Sequence, residues 1–449
     1  MQCSVTVGVD VGPGDGIVQL EERVLQAGRV AMRAALVAAV RASEEQHAAC
    51  PTCGASRGEP LRSHGTKRRV VLTRFGRVEV RVRRQRCRAC GQQFRPSQAC
   101  LAELEGANVT PDLACACALA GASWPYQAAA HMLRDLSGAQ VSAEEVRRLT
   151  TAAGTVEAAQ QMRAAEQVVA PTADRVRRER EYPAGAALVA PVERVVVGLD
   201  GGWIPSRDQV GGMEGKVGVV ATGSEAVGKH GRHRLRPRRY VATFGSSEQI
   251  GVLAYAAATE LGAVGGAVEA REQFVLGDGA AWIHTQAALH FPEARSILDW
   301  AHVERALHQA IRAACPGRAN RARRRDWHRA IPDLLWHGDV DGTLAALLAL
   351  RPGRVGAESV SRLEQAMSYL TTQRAYLGNY AAWQEAGEPS GSGLVERGVG
   401  VVINRRMKGQ GMRWRRANAD AVVALRVREL NADGIADEED DQPSSPPAA

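Results

Sequence analysis

The chain has 449 residues, 45% of them apolar and 24% charged, with a formal net charge of +8. That is enough for roughly two to four domains and one large core, and the balance excludes a fibrous or wholly disordered chain. No stretch reaches the roughly 18 uninterrupted apolar residues of a membrane span, and the first residues lack the basic-then-apolar order of a secretory signal. The expectation is therefore a cytoplasmic protein with no membrane partner.

Charge is unevenly spread. Residues 57–95, 229–239, 312–329 and 397–416 are rich in arginine, and their only acids are Glu59, Glu79 and Asp326. Arginine's planar fork suits bidentate phosphate contacts. A single run of this kind is usually a solvated face, but four favour a polyanionic partner. There are nine cysteines, four of them in two Cys-x-x-Cys pairs, which in such a chain point to metal ligands rather than disulfides.

In chain order, residues 1–16 are glycine-rich and read as loose. Residues 17–43 place Leu20, Val24, Leu25, Met32, Leu36 and Val40 at roughly helical spacing. This predicts an amphipathic helix for packing or pairing, within an N-terminal segment 1–47. Cys50-Pro-Thr-Cys53-Gly and Cys87-Arg-Ala-Cys90-Gly are two knuckles, each presenting two thiolates on one tight turn. Together, Cys50, Cys53, Cys87 and Cys90 complete a closed tetrahedral site for one structural Zn²⁺. Between them, residues 70–83 alternate apolar and charged side chains around a glycine, as a hairpin does. A zinc ribbon is expected over 48–100, with knuckles further apart than usual and arginine-studded faces that touch DNA through phosphates. A redox pair is disfavoured by the doubled knuckle and the lack of a βαβ setting.

Residues 101–181 read as helical. Helices over 126–136 and 142–153, joined by a turn at 137–141, resemble a helix-turn-helix. Ser142 and Glu145 form a capping box, and Arg147, Arg148 and Thr150 face a groove. The same pattern also suits a plain helical core. A charged helix over 156–180 follows, then a Pro/Ala/Gly-rich linker over 182–191.

The main domain starts near residue 190. Residues 194–204 read RVVVGLDGGWI: a β-branched run ending in Asp200 and two glycines. Alone this is as consistent with an Asp-Gly turn, but residues 273–283, QFVLGDGAAWI, repeat it around Asp278. Strands are predicted at 195–199, 216–222, 240–244, 273–277 and 295–298, with helices at 247–261 and 280–289. Three antiparallel strands followed by alternating helices and strands describe an α/β domain with a mixed sheet, the ribonuclease-H-like plan. By analogy, that plan makes the strands bearing Asp200 and Asp278 neighbours. Residues 303–389 read as an all-helical insertion. In 390–414, Ser392 can cap a helix with Glu396 in its first turn, where the helix dipole favours an acid. Arg397, Arg405, Arg406, Lys408 and Trp414 follow, as candidate DNA contacts. Residues 190–302 and 390–430 thus form one domain, and the acidic Pro/Ser-rich tail 431–449 reads as disordered.

If Asp200, Asp278 and Glu396 converge, three ionised carboxylates repel one another, and hard divalent cations relieve that repulsion. Two Mg²⁺ or Mn²⁺ ions about 4 Å apart can promote attack on a phosphodiester and stabilise its leaving oxygen. The motifs LDGGW around Asp200, LGDGAAWI around Asp278, LDWAH over 298–302 and SGLVERGVGVVINRRMKGQGMRW around Glu396 resemble the DDE transposases of bacterial insertion sequences. Within these the chain is most similar to the Kra-type family, which is related to Mutator-like enzymes. The resemblance covers roughly residues 48–430. It implies Asp200, Asp278 and Glu396 as a metal-binding triad, supported by Asp299 and His302 of an acid-x-x-His signature. It also implies double-stranded DNA, as terminal inverted repeats and target, for the substrate. A homo-oligomer assembled on DNA at the nucleoid is the expected active form. A repressor derived from a transposase and a stand-alone metal-dependent nuclease are the competing readings.

Overall fold

In a computed structural model, the described residues are 4–55, 61–104, 106–170, 192–227, 232–235, 238–265, 269–350, 357–391 and 393–432. The expected linker over 182–191, the Ser392 cap and the acidic tail beyond residue 432 lie outside them, as does part of the basic run 229–239. The chain divides into two compact units, Met1–Gly154 and Thr155–Ala449.

In the first unit, β1 (Leu61–Thr73) and β2 (Gly76–Cys87) form an antiparallel hairpin, and β3 (Gln93–Phe94) pairs with the end of β2. The strands extend well beyond the predicted 70–83, and their length accounts for the wide gap between the knuckles. Val71, Val78, Val80 and Val82 share one face, buried under Leu36, Val37 and Val40 of the helix Ile17–Gln46. That helix is therefore packed on the hairpin and is not a separate segment. Glu44 on it is buried and accepts from the Arg83 amide at 3.2 Å.

The helices Pro111–Ser123, Tyr126–Ser137 and Ala143–Val169 follow. Gly138, at φ +84°, ends the second in the left-handed conformation a helix C-cap favours. The two helices expected over 142–153 and 156–180 form one through residue 169, running unbroken across Gly154 despite its weak helix propensity. Ser142 Oγ accepts from the Glu145 amide at 3.1 Å, so half the capping box is present; the Glu145 carboxylate pairs with Arg148 instead.

The second unit holds a five-stranded sheet of β4 (Arg194–Ile204), β5 (Met213–Ala221), β8 (Arg238–Thr243), β9 (Glu272–Gly277) and β10 (Arg295–Leu298). A small hairpin, β6 (Ser224–Val227) and β7 (Arg232–Leu235), lies between β5 and β8 in sequence. The sheet order is β10-β9-β4-β5-β8. β4, β5 and β8 are antiparallel, and β9 and β10 run parallel to β4. All five predicted strands are present, and the expected adjacency of the first and fourth holds.

Alternation on β4 sorts its side chains. Val195, Val197 and Leu199 join Ile250, Leu253 and Ile283 of the helices Ser247–Glu260 and Ala281–His290 in one core. Val196 faces the other way, with Phe274, Leu276, Ile297 and Tyr380. Between residues 300 and 385 the described residues form helices joined by turns, with no strand among them: the longer helices are Trp300–Ala314, Arg321–Trp336, Val340–Ala349, Ala357–Thr372 and Tyr380–Glu385. Most of them share a core around Leu307, Ile311, Leu335 and Leu370.

Candidate functional site

β4 does not end at Asp200. It continues through Gly201 and Gly202 to Ile204, paired with β5 throughout, because β5 is long enough to follow it. What ends near Asp200 is the parallel pairing with β9, whose last partners are Gly198 and Leu276. The same offset sets Asp200 beside Asp278. By alternation from Val196 and from Leu276, both acids share the face opposite the helices Ser247–Glu260 and Ala281–His290.

The helix Gly393–Val399, carrying Glu396, lies on this same face. Its bed is made of glycines. A Cβ on Gly198 would meet Val395 Cβ at 2.9 Å, one on Gly202 would meet Val399 and Ile403, and one on Gly398 would meet Val219. The close approach of helix to strand depends on these missing methyls. Gly198→Val should therefore lift the helix, costing about 1–3 kcal/mol as overpacking does. Urea denaturation reads this directly, and an unchanged midpoint would refute the close contact. Beyond Val399 the helix passes into a π-helical turn, Gly400–Asn404, and Arg426 Nε donates to the carbonyls of Val401 and Val402.

Asp299 follows β10 directly. Its amide donates to Gly277 O at 2.8 Å, and its buried carboxylate caps the helix Trp300–Ala314 by accepting from the Ala301 amide. Its Oδ2 lies 2.6 Å from His302 Nδ1. A carboxylate only accepts, so Nδ1 carries the proton and Nε2 is the remaining ring position. This hydrogen bond holds His302 above its ordinary pKa, against the opposing effect of burial. Ligating atoms of Asp299, His302 and Glu396 all lie within 4.8 Å of one another, and Arg305 sits 3.5 Å from Glu396.

Among the described residues of this unit, the group whose ligating atoms all lie within 4.8 Å of one another is Asp299, His302 and Glu396; Asp200 and Asp278, which with Glu396 make the expected triad, are not in it. The aspartates lie close enough to act on one another. Burial pushes Asp200 up to about 6, and the charges of Asp278 and Glu396 add to the rise, against the Gly201 amide and His302. Asp200, Asp278, Asp299, His302 and Glu396 therefore share one acidic locality. Oxygen donors of this kind suit a hard divalent cation.

No known family model matches this chain, and no curated protein does.

Sequence reasoning missed the residues that hold the locality in place. Tyr369 Oη donates to Asp278 O at 3.0 Å, and Gln373 Nε2 donates to Gly279 O at 2.9 Å, where φ is +91°. Tyr380, fully buried, donates to Leu298 O at 2.8 Å, one residue before Asp299. All three come from the helical insertion. Nothing in their spacing betrays them, since their partners are backbone atoms about 80 to 95 residues away.

In the first unit the four cysteine sulfurs also lie within 4.8 Å of one another. Cys50 and Cys90 sulfurs are 3.6 Å apart, and those of Cys53 and Cys87 3.5 Å. A tetrahedron with bonds of about 2.3 Å sets its ligands roughly 3.8 Å apart, so the group fits a structural zinc. The Gly54 amide donates to Cys50 O and the Gly91 amide to Cys87 O, with both glycines at left-handed φ.

The basic residues divide. Arg397, Arg405 and Lys408 are exposed. Arg148 is exposed and Arg147 half-buried, and both are paired, with Glu145 and Glu144 on their own helix. Thr150 does not face a groove: it is buried and donates to Val146 O. The expectation that Trp414 and Arg406 meet DNA is corrected in the same way. Trp414 is 6% exposed, with Nε1 donating to Met407 O at 3.1 Å, and Arg406, 2% exposed, lies over its ring. Strand-like pairing of Trp414 with residues 205–207 draws both inward.

Proposed function

We propose that the chain is a DDE-type transposase, cutting DNA at the inverted repeats of its own element and joining the freed 3′-hydroxyl to a target. The observation that carries this reading is the placement of Asp200 on β4 and of Asp278 directly after the neighbouring parallel strand β9, with the Glu396 helix laid on glycines beside them. Strand order supports it: three antiparallel strands with two parallel ones added beside the first agree with the ribonuclease-H-like plan. Exposed arginines on the insertion and after Glu396 suit a phosphate backbone.

Asp200, Asp278 and Glu396 would hold two Mg²⁺ or Mn²⁺ ions, which when bound supply activation of the attacking oxygen and charge relief at the leaving one. The chain's own groups do the rest. Asp299 fixes the His302 ring and favours its protonated form, in which Nε2 can donate to a phosphate oxygen. Arg305 and Arg397 flank Glu396 and can hold the strand in line. The Asp278 carboxylate is steadied through its own loop, by the Ala280 amide at 2.9 Å.

The test incubates the purified chain and Mg²⁺ with DNA carrying the inverted repeats that flank its gene. End nicking and joined products are expected, and Asp278→Asn should lose at least about 10³-fold in rate while still binding DNA. Nicking without joining would favour the nuclease reading. Undiminished activity of Asp278→Asn would overturn the site.

A further inference from the structure

The hairpin of the first unit has an inner face that changes character along its length. Val71, Val78, Val80 and Val82 cover its apolar part. In the ladder Arg69 pairs with Val80 and Lys67 with Val82, so both lie on that same face, and Arg84 continues it beyond Val82. Here the face walls a cavity of about 540 Å³ closed on the other side by Arg95, Ser97 and Leu101. A single water needs only about 30 Å³, so the space admits a much larger group.

Three observations give the cavity a ligand class. Its lining includes Lys67, Arg84 and Arg95 and no carboxylate among the described residues. None of these three cations has an ion pair among the described residues, whereas Arg68, which also lines the cavity, is paired with Glu79, and Arg69 donates to Ala107 O. The third is Ser97: it is fully buried, lines the cavity, and its hydroxyl has no hydrogen-bond partner among the described residues. A buried hydroxyl without a partner costs about 1–3 kcal/mol, and such sites usually await a ligand or water. Exposed cations around a concavity with a buried donor in its wall match an anion with several acceptor oxygens.

We propose that this cavity is a phosphate-binding site on the zinc ribbon, and that it seats a backbone phosphate of a nucleic-acid strand. Lys67, Arg84 and Arg95 would neutralise the charge, and Ser97 Oγ would donate to one oxygen. The site lies in a different unit from the acids and does not rest on the transposase reading; it stands if the chain only binds DNA.

The experiment uses the full zinc-loaded chain and a duplex of arbitrary sequence, with binding measured by fluorescence anisotropy over a salt series. Each lost phosphate contact lowers the salt slope by about 0.9. The double variant Lys67→Ala/Arg84→Ala should therefore lose roughly one unit of slope and bind roughly tenfold more weakly at 0.1 M salt, whatever the sequence. Arg77→Ala/Arg81→Ala removes the same charge from the opposite face and should change the slope by less than half as much. Lys67→Arg/Arg84→Lys keeps the charge and should restore binding, which separates a lost contact from a damaged fold. Lys67 should also be protected from amine acetylation by the duplex. Equal loss in both alanine pairs, or an unprotected Lys67, would overturn the site. Protection by millimolar inorganic phosphate but not by the duplex would overturn the backbone assignment and leave a small-anion site.

Discussion

In the absence of divalent cations, Asp200→Asn is expected to melt higher than the parent at pH 7.5, and it should no longer respond to Mg²⁺. Burial, with Asp278 and Glu396 adding to it, raises Asp200 to about 6, against an unfolded value near 3.9. Folding then disfavours the ionised form. Between about pH 4 and 6 the folded state binds more protons than the unfolded one, so this group makes stability fall as pH rises through that window. Above it the full penalty, at most roughly 3 kcal/mol, is present. Solvent contact at this half-buried carboxyl reduces it to about 1–2 kcal/mol, or about 2–3 °C in a unit of this size. Asparagine removes the charge and with it the penalty. The parent should recover stability when Mg²⁺ binds, by about 2.7 kcal/mol at a hundredfold excess over Kd. Thermal melts at pH 5 and 7.5, with and without Mg²⁺, test both halves. An asparagine variant that melts lower than the parent without metal at pH 7.5, or that still gains from Mg²⁺, contradicts the role given to Asp200.

The second large effect is expected at the cysteine cluster. The purified chain should carry one zinc, and a strong chelator at pH 7 should abolish hydrogen-exchange protection across β1 and β2 while sparing β4, β5 and β9. Zinc binding in comparable small metal-folded modules is worth about 10–16 kcal/mol in apparent terms. The hairpin's own core, four valines under one helix, cannot replace that. Cys53→Ser should show the same selective loss without chelator. Protection that survives metal removal would mean that the hairpin folds on its own valines and that the cluster is incidental.

Much of this was legible residue by residue. The valine run 195–197 and the valine-rich stretch 217–220 mark strands because β-branched side chains fit a pleated sheet. The knuckles are legible because a zinc site is local in sequence. Glu396 could be placed on a helix, but its neighbours could not: the trio with Asp299 and His302 depends on how that helix rests on Gly198 and Gly202. Glycine in a strand signals close approach without naming what approaches. Arg406 and Trp414 look like a nucleic-acid contact in a basic run, and only tertiary pairing with residues 205–207 shows them turned inward. Tyr369 and Tyr380 carry no signal at all, because any helix can offer a tyrosine to a distant carbonyl.

Those two tyrosines make the helical insertion part of the acidic locality's frame. One ties it to the carbonyl of Asp278 and the other to the residue before Asp299. Excising the insertion would not unclip an accessory module; it would cut two guy ropes at once. A force applied to its arginine-rich outer helix, Arg321–Trp336, would be transmitted to the carboxylates as a change of tension.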